Sequence, residues 1–316
     1  MFSPAKKPTK VAEQKVDVAQ TFKQRLAAYR KQVTHGLSFA DQMELRDPQA
    51  IIEYTKSIYE NMREKESKYT LAPDFLAKTQ VPAEVKDTSR AFLVEWMIDL
   101  HRKFKLMPET LYVTIHLVDQ FLAVQQIKKN QLHILGVTAI LIATKYEEIY
   151  PPELKELLVV SENKFSKAEV LKMEMEMLMA LQFEVVAPTP YRFLERFRKL
   201  MPSANDDKVF FFAQYILEVS LLDSSLLKYR ASELAAASLV LSTRALKKSS
   251  AWGKDMERHT GINDSGLQKV VEDVRSFVVE INPKFLTTLK YKFGKKEYLE
   301  VASVPFKFDP KDSKAN

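Results

Sequence analysis

Two segments, one in each half of the chain, have helical patterns unusually rich in small residues. The small positions are Gly136, Thr138, Ala139, Ala143 and Thr144 in the first, and Ala231, Ser232, Ala235, Ala236, Ala237 and Ser238 in the second. The distance between packed helix axes depends on the side chains at the contact, so small residues allow a close approach. Each segment is therefore predicted to be the central helix of a helical bundle.

Composition supports an all-helical fold. Glycine accounts for only 6 of 316 residues, where average usage is about 7%. Few residues are left for tight turns or phosphate-cradling loops, which disfavours strand-rich folds and P-loop or Rossmann sites. Cysteine is absent, which excludes disulfides, Cys-ligated zinc and a thiol nucleophile and suits a reducing compartment.

Each half contains about five segments with apolar residues at helical spacing, which indicates a weak internal duplication with a boundary near Pro188. We predict an all-α fold of two tandem five-helix domains preceded by an N-terminal helix. The predicted divisions are a basic, flexible tail at 1–46, the N-terminal helix and first domain at 47–187, the second domain at 188–303, and a tail at 304–316.

Local signals place some helix boundaries. Asp47 is predicted to cap the N-terminal helix, with Pro48 as its first residue. Ser166 and Glu169 form a capping-box pattern at the start of a later helix. Residues 70–87 contain two prolines and are predicted to be a linker.

The net charge of +7 is concentrated at the ends of the chain. Residues 1–33 carry eight Lys and Arg against two acids, and residues 284–316 carry eight Lys against four acids, which leaves −3 for residues 34–283. A nucleic-acid-binding core would normally place positive charge on a folded face. We interpret the basic ends as solvated tails, with weak nuclear import by KKPTK at 6–10 as the alternative.

Neither a membrane segment nor a signal peptide is expected. The longest apolar run, ILGVTAILIA at 134–143, is about half of a membrane span and is predicted to be a buried helix. The first ten residues lack the apolar core of a signal peptide.

Four ionisable residues interrupt apolar helical stripes: Arg90, Asp119, Lys145 and Glu174. An unpaired buried charge costs several kcal/mol, so each needs a partner. We expect Arg90 to pair with Asp119 and hold the first two helices of the first domain in register. Lys145 and Glu174 either form a second internal pair or stay near the surface and bind the backbone of a partner.

No catalytic or metal-binding pattern is apparent. The five histidines are scattered, H-E-x-x-H and G-x-S-x-G are absent, and the methionines of MEMEMLM at 173–179 are interpreted as core filler. We therefore expect no catalytic residues, no metal and no cofactor.

Four segments in order resemble successive helices of the cyclin box, nearest to mitotic cyclins of the A/B type: SRAFLVEWMIDLH, ETLYVTIHLVDQFL, TAILIATKYEEIYPPE and KMEMEMLMALQF. The resemblance implies two tandem five-helix cyclin boxes. It also implies a regulatory subunit that lacks catalysis, binds and activates a cyclin-dependent Ser/Thr protein kinase as a heterodimer, and acts in the cell cycle at G2/M, in nucleus and cytoplasm. Neither nucleic acid nor membrane is an expected partner.

The resemblance also implies a kinase-binding surface. By position, it would comprise Tyr54, Ile58, Ile134, Ile142, Lys145, Tyr146, Glu147, Ile149, Glu174, Leu178 and Phe183.

A second implied surface docks substrates or inhibitors that carry an Arg-x-Leu motif. It would comprise Phe92, Leu93, Trp96, Asp99 and His133, with the apolar members holding the leucine and the Asp99 carboxylate pairing with the arginine. The family usually has methionine at Ser89, an aliphatic residue at 92 and glutamine at 133.

A two-box transcription factor resembling general initiation factor B of RNA polymerase II, which binds DNA, is the alternative. It predicts a basic folded core, and the charge of −3 over residues 34–283 disfavours it.

Overall fold

The structure is a computed structural model, and the part of the chain that it describes is helical without a strand. The described residues are 20, 23–25, 27–28, 31, 37–45, 47, 49–81, 84–201, 204–248 and 252–306. The helices with assigned bounds are α1 (Phe39–Glu44), α2 (Ile52–Glu66), α3 (Phe75–Thr79), α4 (Asp87–Phe104), α5 (Pro108–Val124), α6 (Leu132–Glu147), α7 (Leu154–Val160), α8 (Lys167–Ala180), α9 (Pro190–Leu200), α10 (Asp207–Ser220), α11 (Ala231–Ala245), α12 (Lys254–Thr260), α13 (Asp264–Glu280) and α14 (Thr287–Phe293).

The chain divides into a short unit, Met1–Lys56, and a large unit, Ser57–Asn316. In the short unit, α1 begins with a capping box in which Ser38 and Asp41 satisfy each other's backbone N–H groups. This helix lies within the segment expected to be a flexible tail, and the flexibility of that segment stays a prediction. The KKPTK segment lies outside the described residues.

Helix α2 starts later than predicted. The Asp47 carboxylate accepts a hydrogen bond from the backbone N–H of Gln49 at 2.9 Å, whereas the helix begins at Ile52. Asp47 therefore closes a local turn and does not cap the helix.

The first five-helix set, α4–α8, surrounds α6, which packs against the other four helices. A Cβ atom added at Gly136 would lie 3.0 Å from Leu93 Cδ1 and 3.1 Å from Trp96 Cζ3, so glycine permits the close approach of α4. Ser166 and Glu169 form the predicted capping box at the start of α8.

The second set, α9–α13, repeats the arrangement around α11, which packs against α9, α10 and α13. The side chains of Ala235, Ala236 and Ala237 are completely buried there. The all-α prediction with two sets of five helices is confirmed. None of the described helices combines the length and apolarity needed to cross a membrane.

Two segments expected to be irregular are packed. The supposed linker contains α3, which buries Phe75 and Leu76, and the Gln80 amide donates to the carbonyl of Leu122 at 2.9 Å. Phe306, assigned from sequence to the C-terminal tail, stacks on the rings of Phe212 and Tyr215.

The second domain contains a buried ion pair that the sequence analysis missed. Lys292 Nζ on α14 lies 2.6 and 2.7 Å from the two carboxylate oxygens of Glu218, and both side chains are almost wholly buried. Glu218 is the twelfth residue of α10, as Asp119 is of α5. The two acids thus occupy matching places in the duplicated halves.

Removing one member of this pair should be costly because it leaves the other charge buried and uncompensated. We expect Lys292→Met to lower the unfolding free energy by about 3–5 kcal/mol, measured by urea denaturation. The double variant Lys292→Met/Glu218→Gln should recover part of the loss. An exposed ion pair contributes at most about 1 kcal/mol. If Lys292→Met lowers the unfolding free energy by no more than that, the result would contradict a buried pair.

Candidate functional site

The Arg90–Asp119 pair joins α4, which carries Arg90, to α5, which carries Asp119. Arg90 Nε and Nη2 donate to the two oxygens of Asp119, each at 2.6 Å, and neither side chain has appreciable exposure. The third guanidinium nitrogen, Nη1, donates to the carbonyl oxygen of Leu221 at 2.9 Å. The predicted pair therefore forms, and its arginine also joins the first domain to the segment that follows α10.

Lys145 and Glu174 form a second pair, at the surface. Lys145 Nζ, near the end of α6, is 2.6 Å from Glu174 Oε1 on α8. The side-chain exposures are 51% for Lys145 and 15% for Glu174. The internal pair, one of the two alternatives from the sequence, therefore forms, and binding of a partner's backbone stays a prediction.

Large apolar side chains on neighbouring segments are exposed. The end of α6 and its following turn present Tyr146, Ile149 and Tyr150, the last two with 83% and 92% of their surface exposed. Phe183, after α8, is also exposed. Exposed apolar patches of this kind mark interaction sites.

Helix α8 also exposes apolar side chains that were expected from the sequence to lie in the core. Met173 and Met177 are buried, as expected of core filler, but Met175 and Met179 are exposed one turn apart. Because methionine alternates with glutamate in this segment, the sequence did not separate the exposed methionines from the buried ones.

Two predicted contact residues do not reach the surface. Ile134 and Ile142 belong to the hydrophobic core, because α6 is covered by neighbouring helices over most of its length. They support the surface from beneath, which corrects their assignment as contacts. Leu178 is partly buried, whereas Tyr54 and Ile58 on α2 are exposed.

The two acids that end α6 have different surroundings. Glu148 Oε1 accepts hydrogen bonds from the backbone N–H of Met107 at 2.7 Å and from the Thr110 hydroxyl at 2.6 Å, which ties the end of α6 to the start of α5. Glu147 has the same intermediate burial as Glu148 but accepts neither of these hydrogen bonds. Of the two, Glu147 is thus the one left for a partner.

The docking residues are only partly assembled as predicted. Phe92 is 58% exposed, but its ring centroid lies 4.7 Å from that of Phe285, from the second domain. Trp96 is partly buried and meets His133 edge-on at 5.2 Å. Leu93 is buried against α6, which corrects its assignment to the docking surface.

Asp99 is occupied within the chain. Its two carboxylate oxygens lie 2.7 Å from Arg102 Nη2 and 2.8 Å from Lys103 Nζ. An incoming arginine would therefore compete with two resident cations at this position.

Comparison with known proteins identifies the family. The model of the cyclin N-terminal domain matches residues 57–186, and that of the cyclin C-terminal domain matches residues 188–307. The chain belongs to the cyclin family.

The similar proteins include B-type cyclins. The G2/mitotic-specific cyclin-B2 of Anguilla japonica is 31% identical over 299 residues, which cover 94% of this chain and 72% of the eel protein. Cyclin-B2-1 of Oryza sativa subsp. japonica is 37% identical over 220 residues, covering 70% of this chain and 51% of the rice protein. The predicted resemblance to mitotic cyclins is confirmed.

A solved structure shares the fold. The viral cyclin from herpesvirus saimiri superposes with a TM-score of 0.62 at 19% identity, over 71% of this chain and 97% of the viral chain. The helix sets α4–α8 and α9–α13 are therefore the two cyclin boxes.

A buried acid at the junction of this cyclin's boxes escaped the sequence analysis. Glu109, in the first turn of α5, accepts a hydrogen bond from the Thr189 hydroxyl at 2.6 Å, and its other oxygen lies 3.6 Å from Arg192 Nε. Burial outweighs these contacts and raises the pKa of Glu109 to about 7. The only local signal was its place in the first turn of a helix.

This raised pKa gives a signed pH dependence. Folded Glu109 holds its proton more tightly than the unfolded chain does, so its stabilising contribution is complete below pH 4.5 and lost as pH rises towards 7. Between these values we expect a loss of about 3 kcal/mol in unfolding free energy, which Glu109→Gln should remove. Urea denaturation of both proteins from pH 4.5 to 7.5 measures the difference, and parallel pH profiles would refute it.

Proposed function

We propose that this cyclin binds and activates a cyclin-dependent protein kinase through the surface around Lys145 and Glu174. One observation carries the proposal: an ion pair with a half-exposed lysine and a largely covered glutamate lies on the same segments as exposed aromatic and aliphatic side chains, Tyr146, Ile149 and Phe183. A partner that binds this surface would bury its apolar side chains and could form hydrogen bonds with the two charged groups. Cyclins are regulatory subunits of kinases, and we propose that this chain has no catalysis of its own.

Lys145 can exchange its bond to Glu174 for bonds to the kinase, because half of its side chain is already open to solvent. The ammonium of Lys145 would donate to backbone carbonyls of the kinase, and the carboxylate of Glu174 would accept from its backbone N–H groups. Protein kinases require a helix-borne glutamate to pair with the lysine that orients ATP. A cyclin bound against that mobile helix would hold it in the active position.

The G2/M assignment rests on the B-type relatives, several of which are named G2/mitotic-specific cyclins. We extend it to action in nucleus and cytoplasm. The second proposed activity is docking of Arg-x-Leu substrates or inhibitors on Phe92 and Trp96, which the exposure of Phe92 supports.

The kinase-binding proposal is tested with Lys145→Ala/Glu174→Ala. We expect the double variant to lose affinity for the kinase by at least about tenfold, or about 1.4 kcal/mol, because it removes the directed hydrogen bonds. Binding and activation would be measured with a panel of purified cyclin-dependent kinases, and the fold would be checked by circular dichroism.

The matched control is Glu272→Ala/Arg275→Ala, which removes an ion pair on α13 of the second box. It should bind and activate the kinase like the parent. Full activation by the Lys145→Ala/Glu174→Ala chain would eliminate this surface as the binding site.

Docking is tested with Phe92→Ala, because Trp96 also packs on α6 and its loss would disturb the core. We expect KM for an Arg-x-Leu substrate to rise about tenfold, since a desolvated aromatic contact is lost. Phosphorylation of a short peptide without the motif should be unchanged. An equal loss on both substrates would mean that Phe92 serves folding or kinase activation.

A further inference from the structure

A groove of about 500 Å³ lies beside the proposed docking residues, between the start of α4 and the end of α13. Its apolar lining includes Leu222, Phe277, Ile281 and Phe285. The ring of Phe285 also contacts Phe92, so one aromatic side chain belongs to both the groove and the docking surface. A peptide held on Phe92 can therefore continue into the groove.

The polar lining of the groove is negative. Asp87, Asp223 and Glu280 line it, and no Lys or Arg side chain is among the described lining residues. Arg90 lies nearby, but its charge is offset by the bidentate contact with Asp119. Asp87 accepts a hydrogen bond from the Ser224 hydroxyl, and Asp223 accepts hydrogen bonds from Ser225. Both acids interact electrostatically with Arg90. Counted with Asp119, the region thus holds four carboxylates and one guanidinium, and the groove keeps an excess of negative charge next to its apolar floor.

A second electrostatic feature has the same sign. Helix α13 ends at Glu280 with no basic residue in its last turn, so its C-terminal carbonyl groups add negative potential. The nearest cation on that helix, Arg275, is held by Glu272 three residues before it. The helix end and the carboxylates together favour a cation.

We infer that this groove binds a Lys or Arg side chain of a docked polypeptide whose leucine contacts Phe92 and Trp96. The inference rests on the proposed docking function. It assigns recognition of the basic side chain to the carboxylates of the groove instead of Asp99, because Asp99 is already bonded to Arg102 and Lys103. The carboxylates of Asp87 and Glu280 would receive charge-assisted hydrogen bonds. The apolar floor would cover the methylene stem of the basic side chain.

The test uses the full chain and fluorescently labelled peptides that contain one leucine and one arginine, with the arginine moved stepwise along the peptide. Affinity is measured by fluorescence anisotropy at low and high salt. We expect one spacing to bind best, and Glu280→Gln and Asp87→Asn each to weaken it by at least about fivefold while reducing its salt dependence. Asp99→Asn, the matched control, should stay within about twofold of the parent.

The outcomes separate this inference from the docking proposal. Suppose that Phe92→Ala abolishes binding and that, of the variants that neutralise a carboxylate, only Asp99→Asn lowers the peptide affinity. Docking then stands, and the groove is not the site that binds the basic side chain. If Phe92→Ala leaves peptide affinity unchanged, docking on this face fails and the inference fails with it. A peptide that binds equally well without its arginine also overturns the inference, whereas Glu280→Lys that prefers an acidic peptide supports it.

Discussion

The bidentate contact between Arg90 and Asp119 is the interaction on which the junction of the two boxes and the proposed docking surface depend. Its guanidinium holds α4 to α5 and, through the carbonyl of Leu221, holds the first box to the second. Without Asp119 a wholly buried cation would remain, and such losses cost about 3–5 kcal/mol. Phe92 and Trp96 follow Arg90 on the same helix, so the orientation that aims the arginine inward also sets how they meet solvent, Phe285 and His133.

The fold and the charged residues of the site could be predicted because they obey local rules. A charge inside an apolar helical stripe must find a partner, which singled out Arg90, Asp119, Lys145 and Glu174. The partners that come from distant segments could not be predicted. Nothing near Glu218 in sequence points to Lys292, and nothing near Phe92 points to Phe285, because these contacts depend on how α14 and its preceding turn fold back.

Periodicity also fails where a helix is apolar on every side. Helix α6 has no polar face over most of its length, so its sequence could not separate Ile134 and Ile142, which are buried, from a contact surface. On α8 the error was the opposite, because exposed residues were assigned to the core. Exposed and buried methionines alternate in MEMEMLM, so the sequence did not distinguish them. Flexible methionine side chains suit a surface that must adapt to a partner. The exposed pair, Met175 and Met179, follows Glu174 on the same helix and offers such apolar area to a partner.

The two boxes share their inner architecture but differ where a partner would bind. Lys145 is the fourteenth residue of α6, and the fourteenth residue of α11 is also basic, Arg244. Glu174 is the eighth residue of α8, whereas the eighth residue of α13 is the buried Val271. The second box thus keeps the cation and lacks the acid, so it cannot form the exposed pair. The two boxes therefore share their core but differ in this pair of charged residues. Because only the first box has the pair, the difference favours the first box as the one that binds the kinase.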